Sequence, residues 1–190
     1  MSRAYRITLK ESSVRELKGS DEICTQLEVL EVLPPEQMSE LLRKELKEKG
    51  FAEREDGKLS RKEGNVTVTI DPKSCEVTVK ADVKEEVTVE SKLQGGGYDD
   101  VGPNPVDVRK MVEKQLKQDL DDKAGKESER LQGAATKELE QKLCDLQPEL
   151  SEIVNKVTRE AIKQKAKQLG TIKELTEDEE TGSLTIRIEV

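Results

Sequence analysis

The chain has 190 residues, a formal net charge of −8, 39% charged residues and only 2% aromatics. That balance argues against a large apolar ligand cavity, and against a nucleic-acid surface, which needs a basic patch with stacking aromatics. Histidine is absent, which removes Ser-His and Cys-His nucleophile systems and every histidine-dependent metal site.

Leu, Ile, Val and Phe number 46 of the 190 residues, above the roughly 20% below which disorder is expected, so the chain folds around a thin core. The opening MSRAYRITLKES alternates charge with apolar residues and has no signal-peptide run. No stretch approaches the 18 apolar residues of a membrane span, so no membrane insertion is expected. Cys24, Cys75 and Cys144 are far apart and form no C-x-x-C pair. They read as reduced thiols of a cytoplasmic protein.

In chain order, AYRITLK (4–10) alternates Tyr5, Ile7 and Leu9 against polar residues, the period of a half-buried strand. A polar connection follows. ICTQLEVLEV (23–32) alternates and then shifts phase, leaving strand and helix both open. PPEQMSELLRKELKEKG predicts a helix over 35–49: Pro35 suits the first turn, Met38, Leu41, Leu42 and Leu46 share one face, and Gly50 ends it.

From Phe51 to about Glu90 short strands alternate with turns. Asp56 and Gly57 close one hairpin, and Pro72, Lys73 and Ser74 close another between NVTVTID and CEVTVKA. EEVTVES (85–91) reads as a further strand of the same antiparallel meander, whose apolar face the 35–49 helix covers.

Helical spacing then runs from Val108 to Ala161. Its stripe advances by more than 3.6 residues per turn, so it drifts instead of holding a heptad. Pro148 costs about 3 kcal/mol inside a helix and suits a first turn, so two helices are expected, 106–146 and 148–169. Gly170 ends the second, and Arg159, Lys163, Lys165 and Lys167 complement its dipole. The last twenty residues read as a hairpin with Leu184, Ile186, Ile188 and Val190 alternating, expected to join the N-terminal sheet.

Catalytic templates fail. The acidic pairs Glu85–Glu86, Asp99–Asp100, Asp121–Asp122 and Glu179–Glu180 suit solvated surface in a chain with 41 acidic residues. EDEETG (177–182) and GYDDVGPN (97–104) lack calcium-loop spacing. Gly95, Gly96 and Gly97 lead into Tyr98, Asp99 and Asp100, without the lysine and hydroxyl of a phosphate loop. They fall where alternation gives way to helical spacing and read as a hinge, with Asn104 and Pro105 leading into the next helix.

TQLEVLEVLPPEQMSELLRKELKEKGF (25–51), VTVTIDPKSCEVTV (66–79) and the closing GSLTIRIEV (182–190) resemble a bacterial family, the accessory domains of FtsH ternary systems. The resemblance implies a non-enzymatic partner of an FtsH-type AAA+ ATPase in conflict or stress responses, and transfers no functional residues.

The expected fold is α+β: an antiparallel body (1–92) with one covering helix, a Gly/Pro-rich hinge (93–105), a helical excursion (106–170) and a C-terminal hairpin (171–190) returning to the sheet. The expected function is a non-enzymatic adaptor with a protein partner and no cofactor. The alternatives are a carboxylate-dependent, metal-assisted enzyme using Asp99 and Asp100, and a structural coiled-coil oligomer.

Overall fold

A computed structural model describes residues 3–98, 103–177 and 183–189. The fold is α+β. Strands β1 (Ala4–Gln26), β2 (Ala52–Glu53), β3 (Leu59–Glu63), β4 (Val66–Asp71) and β5 (Glu76–Tyr98) form a five-stranded sheet in the order β1-β5-β4-β3-β2. Helix α1 (Pro35–Glu48) precedes β2, and helix α2 (Pro105–Leu169) follows β5. Strands β6 (Thr171–Glu177) and β7 (Leu184–Glu189) pair only with each other among the described residues.

Local sequence explains most element ends. Pro35 opens α1, and Gly50, at φ 84°, reverses the chain after it as the Phe51 N–H donates to the Leu46 carbonyl. Gly57, at φ 78°, turns β2 into β3, and Gly64, at φ 60°, turns β3 into β4. Pro105 opens α2, and Asn104 caps it by accepting the Asp107 N–H on its side-chain oxygen at 3.0 Å.

The chain divides into two compact units, one of residues 1–21 and 82–137, the other of 22–81 and 138–190. In the first, the odd-numbered residues of β1 and β5 turn inward. Val87 and Val89 of β5 pack with Leu120 and Ala124 of α2. Polar bonds tie the helix to the ribbon: Arg15 to Asp121 at 2.8 Å, Arg130 to Glu85 at 2.6 Å, and the Ser91 hydroxyl to Asp119.

The second unit holds α1, β2 to β4, the adjoining ends of β1 and β5, the later part of α2, and β6 with β7. Val66, Val68 and Ile70 of β4 lie opposite Ala81, Val79 and Val77 of β5, and all six are buried. Met38, Leu42 and Leu46 of α1 are buried with them, as are Leu146, Ile153 and Val157 of α2. Each such side chain contributes about 1.5–3 kcal/mol by leaving water.

Four expectations change. Strand β1 continues through the stretch read as a polar connection, because Arg15 faces inward to reach Asp121 while Val14 faces out. EEVTVES belongs to β5, whose inward alternation is interrupted at Glu85, where Arg130 supplies a partner. The helical excursion is one helix with Pro148 inside it. The proline's cost of about 3 kcal/mol is offset by Leu146 and Ile153, both fully buried on either side of it. The C-terminal hairpin forms its own two-stranded sheet instead of joining the larger one.

Gly95, Gly96 and Gly97 are β5 residues, so the strand outlasts the expected start of the hinge. A Cβ would lie 2.6 Å from Val112 at Gly95, 2.6 Å from the Tyr5 carbonyl at Gly96, and 2.7 Å from the Tyr5 hydroxyl at Gly97. Close approach by the helix and by Tyr5 accounts for these glycines. Asp99, Asp100 and the acidic turn at 178–182 lie outside the described residues.

Candidate functional site

The charged residues of the second unit are largely engaged with one another. Arg61, on β3, donates through both terminal nitrogens to Glu149 of α2, each at 2.7 Å, and donates to the Lys49 carbonyl at 3.0 Å. Its guanidinium carbon lies 4.4 Å above the Phe51 ring. Its Nε is 2.7 Å from Glu63 but off-axis for a hydrogen bond, so that contact is an ion pair. Lys142 of α2 bonds Glu63, and Lys49 bonds Glu152 at 2.7 Å.

These contacts hold every carboxyl of the network below its ordinary range. Glu149 is lowered chiefly by the hydrogen bond from Arg61, Glu63 by that from Lys142, and Glu152 by that from Lys49. Arg61 is raised by the bond to Glu149 and Lys49 by the bond to Glu152. Carboxylates held ionised by paired cations make poor general bases. The network clamps α2 to β3 and the end of α1.

The acidic pairs of the sequence part company. Glu85 accepts from Arg130 and Asp121 from Arg15. Among the described residues no three His, Cys, Asp or Glu side chains are arranged to hold a metal ion. Among them, too, no helix is long and apolar enough to cross a membrane. Gly95 to Gly97 form only a shallow depression with Tyr5 and Arg6.

An open groove of about 960 Å³ lies between the end of β1 and α2, entirely within the second unit. Its size falls in the range of about 300–1,000 Å³ common to ligand clefts. Val77 and Val79, both fully buried, floor it, and Ile23 and Leu27 edge it on the strand side. Leu143, Leu150 and Val154 of α2 form the opposite wall. Glu28 and Glu140 stand in the lining, which includes no lysine or arginine among the described residues.

Backbone geometry makes this strand edge open. The Leu27 N–H donates to the Cys75 carbonyl at 2.8 Å, so odd-numbered β1 residues address β5. Even-numbered residues direct N–H and C=O away from it. Ser20 does so, and there the Gln132 side chain accepts its N–H at 3.1 Å and donates to its carbonyl at 2.6 Å. At Cys24 and Gln26 the outward groups stand at the terminal strand of the sheet. Across the groove, Pro148 has no N–H for the Cys144 carbonyl, which is left without its helical donor.

Composition and motif reasoning did not locate the groove. The available signal was an excess of apolar residues on α2: Leu143 and Leu150 belong to the stripe, yet are only half-buried where Leu146 and Ile153 are buried completely.

Over residues 1–190 the sequence matches the model of a protein family described as FtsH ternary system domain X5. No curated protein and no solved structure matches.

Proposed function

Because the chain belongs to the FtsH ternary system domain X5 family, we propose that it is a non-enzymatic adaptor that binds another protein of that system, its AAA+ ATPase being the first candidate. The observation that carries this reading is the groove beside an open strand edge, lined by apolar side chains and carboxylates. Backbone groups and apolar walls of this kind suit protein recognition. The paired charges of Arg61, Glu149, Glu63 and Lys142 leave little for catalysis.

Affinity purification of the tagged full chain from its native cells tests the proposal. Recovery of the system's AAA+ ATPase at defined stoichiometry, repeated with the tag on the ATPase, is the expected result. Elution alone at monomer mass in both directions would overturn it. Titration with Mg²⁺ addresses the rival enzyme reading, which needs saturable binding that disappears in Asp99→Asn/Asp100→Asn; the adaptor reading expects no saturable binding.

A further inference from the structure

We propose that the groove takes an extended segment of a partner protein as an added strand on β1, with apolar side chains in the groove and cationic side chains between them. This deepens the adaptor reading and rests on it.

The geometry fixes the register of such a segment. Strands pair at about 4.8 Å through alternating backbone groups, and residues in a bonded pair share a face of the sheet. The outward backbone groups of β1 here belong to Cys24 and Gln26, whose side chains lie on the face away from α2, Cys24 Sγ being 3.7 Å from Thr78 Oγ1. Incoming residues that bond to Cys24 and Gln26 therefore place their side chains on that same outer face. The residues between them face Ile23 and Leu27 and enter the apolar groove.

Charge selects the residues that bond to Cys24 and Gln26. Glu76 is exposed on that outer face beside Cys24 and Gln26, and Glu28 and Glu140 at the groove add to the negative field around the strand edge. Lysine or arginine at alternate positions complements this set, whereas glutamate there meets repulsion.

The test uses a fluorescein-labelled peptide of alternating valine and lysine, titrated with the full chain and read by fluorescence anisotropy. Saturable binding is expected, and a valine–glutamate peptide should not bind. N-methylation of the lysines removes the N–H groups that face β1 and should weaken binding by about tenfold or more. N-methylation of the valines touches the far edge and should leave affinity within about twofold. Cys24→Pro removes an outward donor at a position where an edge strand tolerates proline, and should also cost about tenfold. Glu28→Lys/Glu140→Lys tests the charge requirement without altering the backbone, and should weaken binding most at low salt.

Equal affinity for the two N-methylated peptides, or undiminished binding by both variants, would overturn the proposal. So would a dimer, seen by sedimentation, that Cys24→Pro dissolves, since a second copy would then occupy the edge. Recovery of the AAA+ ATPase by a chain carrying either variant at wild-type level would sink the groove and leave the adaptor reading standing.

Discussion

Gly19 of β1 lies against the backbone of Leu131 in α2, where a Cβ would run into the Leu131 carbonyl carbon and oxygen and the Gln132 nitrogen. All three obstacles are main-chain atoms, which cannot swing aside as a side chain can. Gly19→Ala should destabilise the first unit by about 1–3 kcal/mol. Urea denaturation would show a lower midpoint, and hydrogen exchange should accelerate first at residues around 19 and 131.

Gln132 closes the strand edge at Ser20 with one accepted and one donated hydrogen bond. Gln132→Ala should cost about 1–2 kcal/mol, and Gln132→Glu at least as much, because a carboxylate cannot donate to the Ser20 carbonyl. Both should raise thioflavin-positive aggregation on prolonged incubation, since an uncovered edge templates strand pairing.

Arg61 and Glu149 expose 18% and 25% of their side chains, between an open surface pair and a buried one. Arg61→Ala should therefore cost about 2 kcal/mol, above the ~0–1 of exposed pairs and below the ~3–5 of fully buried ones. Arg61→Lys should recover less than half of that, because an ammonium cannot make the two-pronged bond to Glu149 or stack on Phe51 in the same way. Thermal melts of the three chains at one salt concentration check the ranking.

Acid should unfold the second unit through the same network. Glu149, Glu63 and Glu152 titrate in the folded state below their ordinary value of 4.5. Their contribution is complete above that value and is lost as pH falls through the lower folded values. With no histidine in the chain, stability should be flat from about pH 6 to 8 and fall below about pH 4.5. Denaturation midpoints measured across this range should show it, and Glu149→Gln should make the acid limb shallower.

The three thiols should label at different rates. Cys24 and Cys144 are exposed, whereas Cys75 is half-buried and its thiol is pushed up first by burial and then by Asp71 and Glu31. Timed alkylation with peptide mass mapping should find Cys75 modified last. Cys75 also occupies φ 56° in the turn before β5, so Cys75→Gly should be tolerated or stabilising by a few tenths to about 1 kcal/mol.

Helix α1 and the β4–β5 hairpin were legible because each carries a complete local signal: Pro35 and Gly50 bracket the one, and strict Val-Thr alternation marks the other. The start of α2 at Asn104 and Pro105 was legible for the same reason. The full length of β1 and β5 was not, because Arg15 and Glu85 occupy inward positions that alternation assigns to apolar residues, and their partners Asp121 and Arg130 lie far along the chain. Pro148 misled in the same manner: local propensity ends a helix there, and tertiary burial of Leu146 and Ile153 carries it through. The groove depends on which half of an apolar stripe stays uncovered, and that is a property of the assembled unit.

The interleaving of residues 1–21 with 82–137 bears on how a ribosome delivers this chain. Residues 1–21 emerge before the parts of β5 and α2 that share their unit, which reach as far as residue 137, so at about 5–20 residues per second they wait roughly 6–25 s for their partners. During that interval α1, β2, β3 and β4 can close on one another, being contiguous in the nascent chain. The alternating charges of β1, with Lys10, Arg15, Glu16 and Lys18 among them, are then what keep an unpaired strand from finding another copy on a neighbouring ribosome.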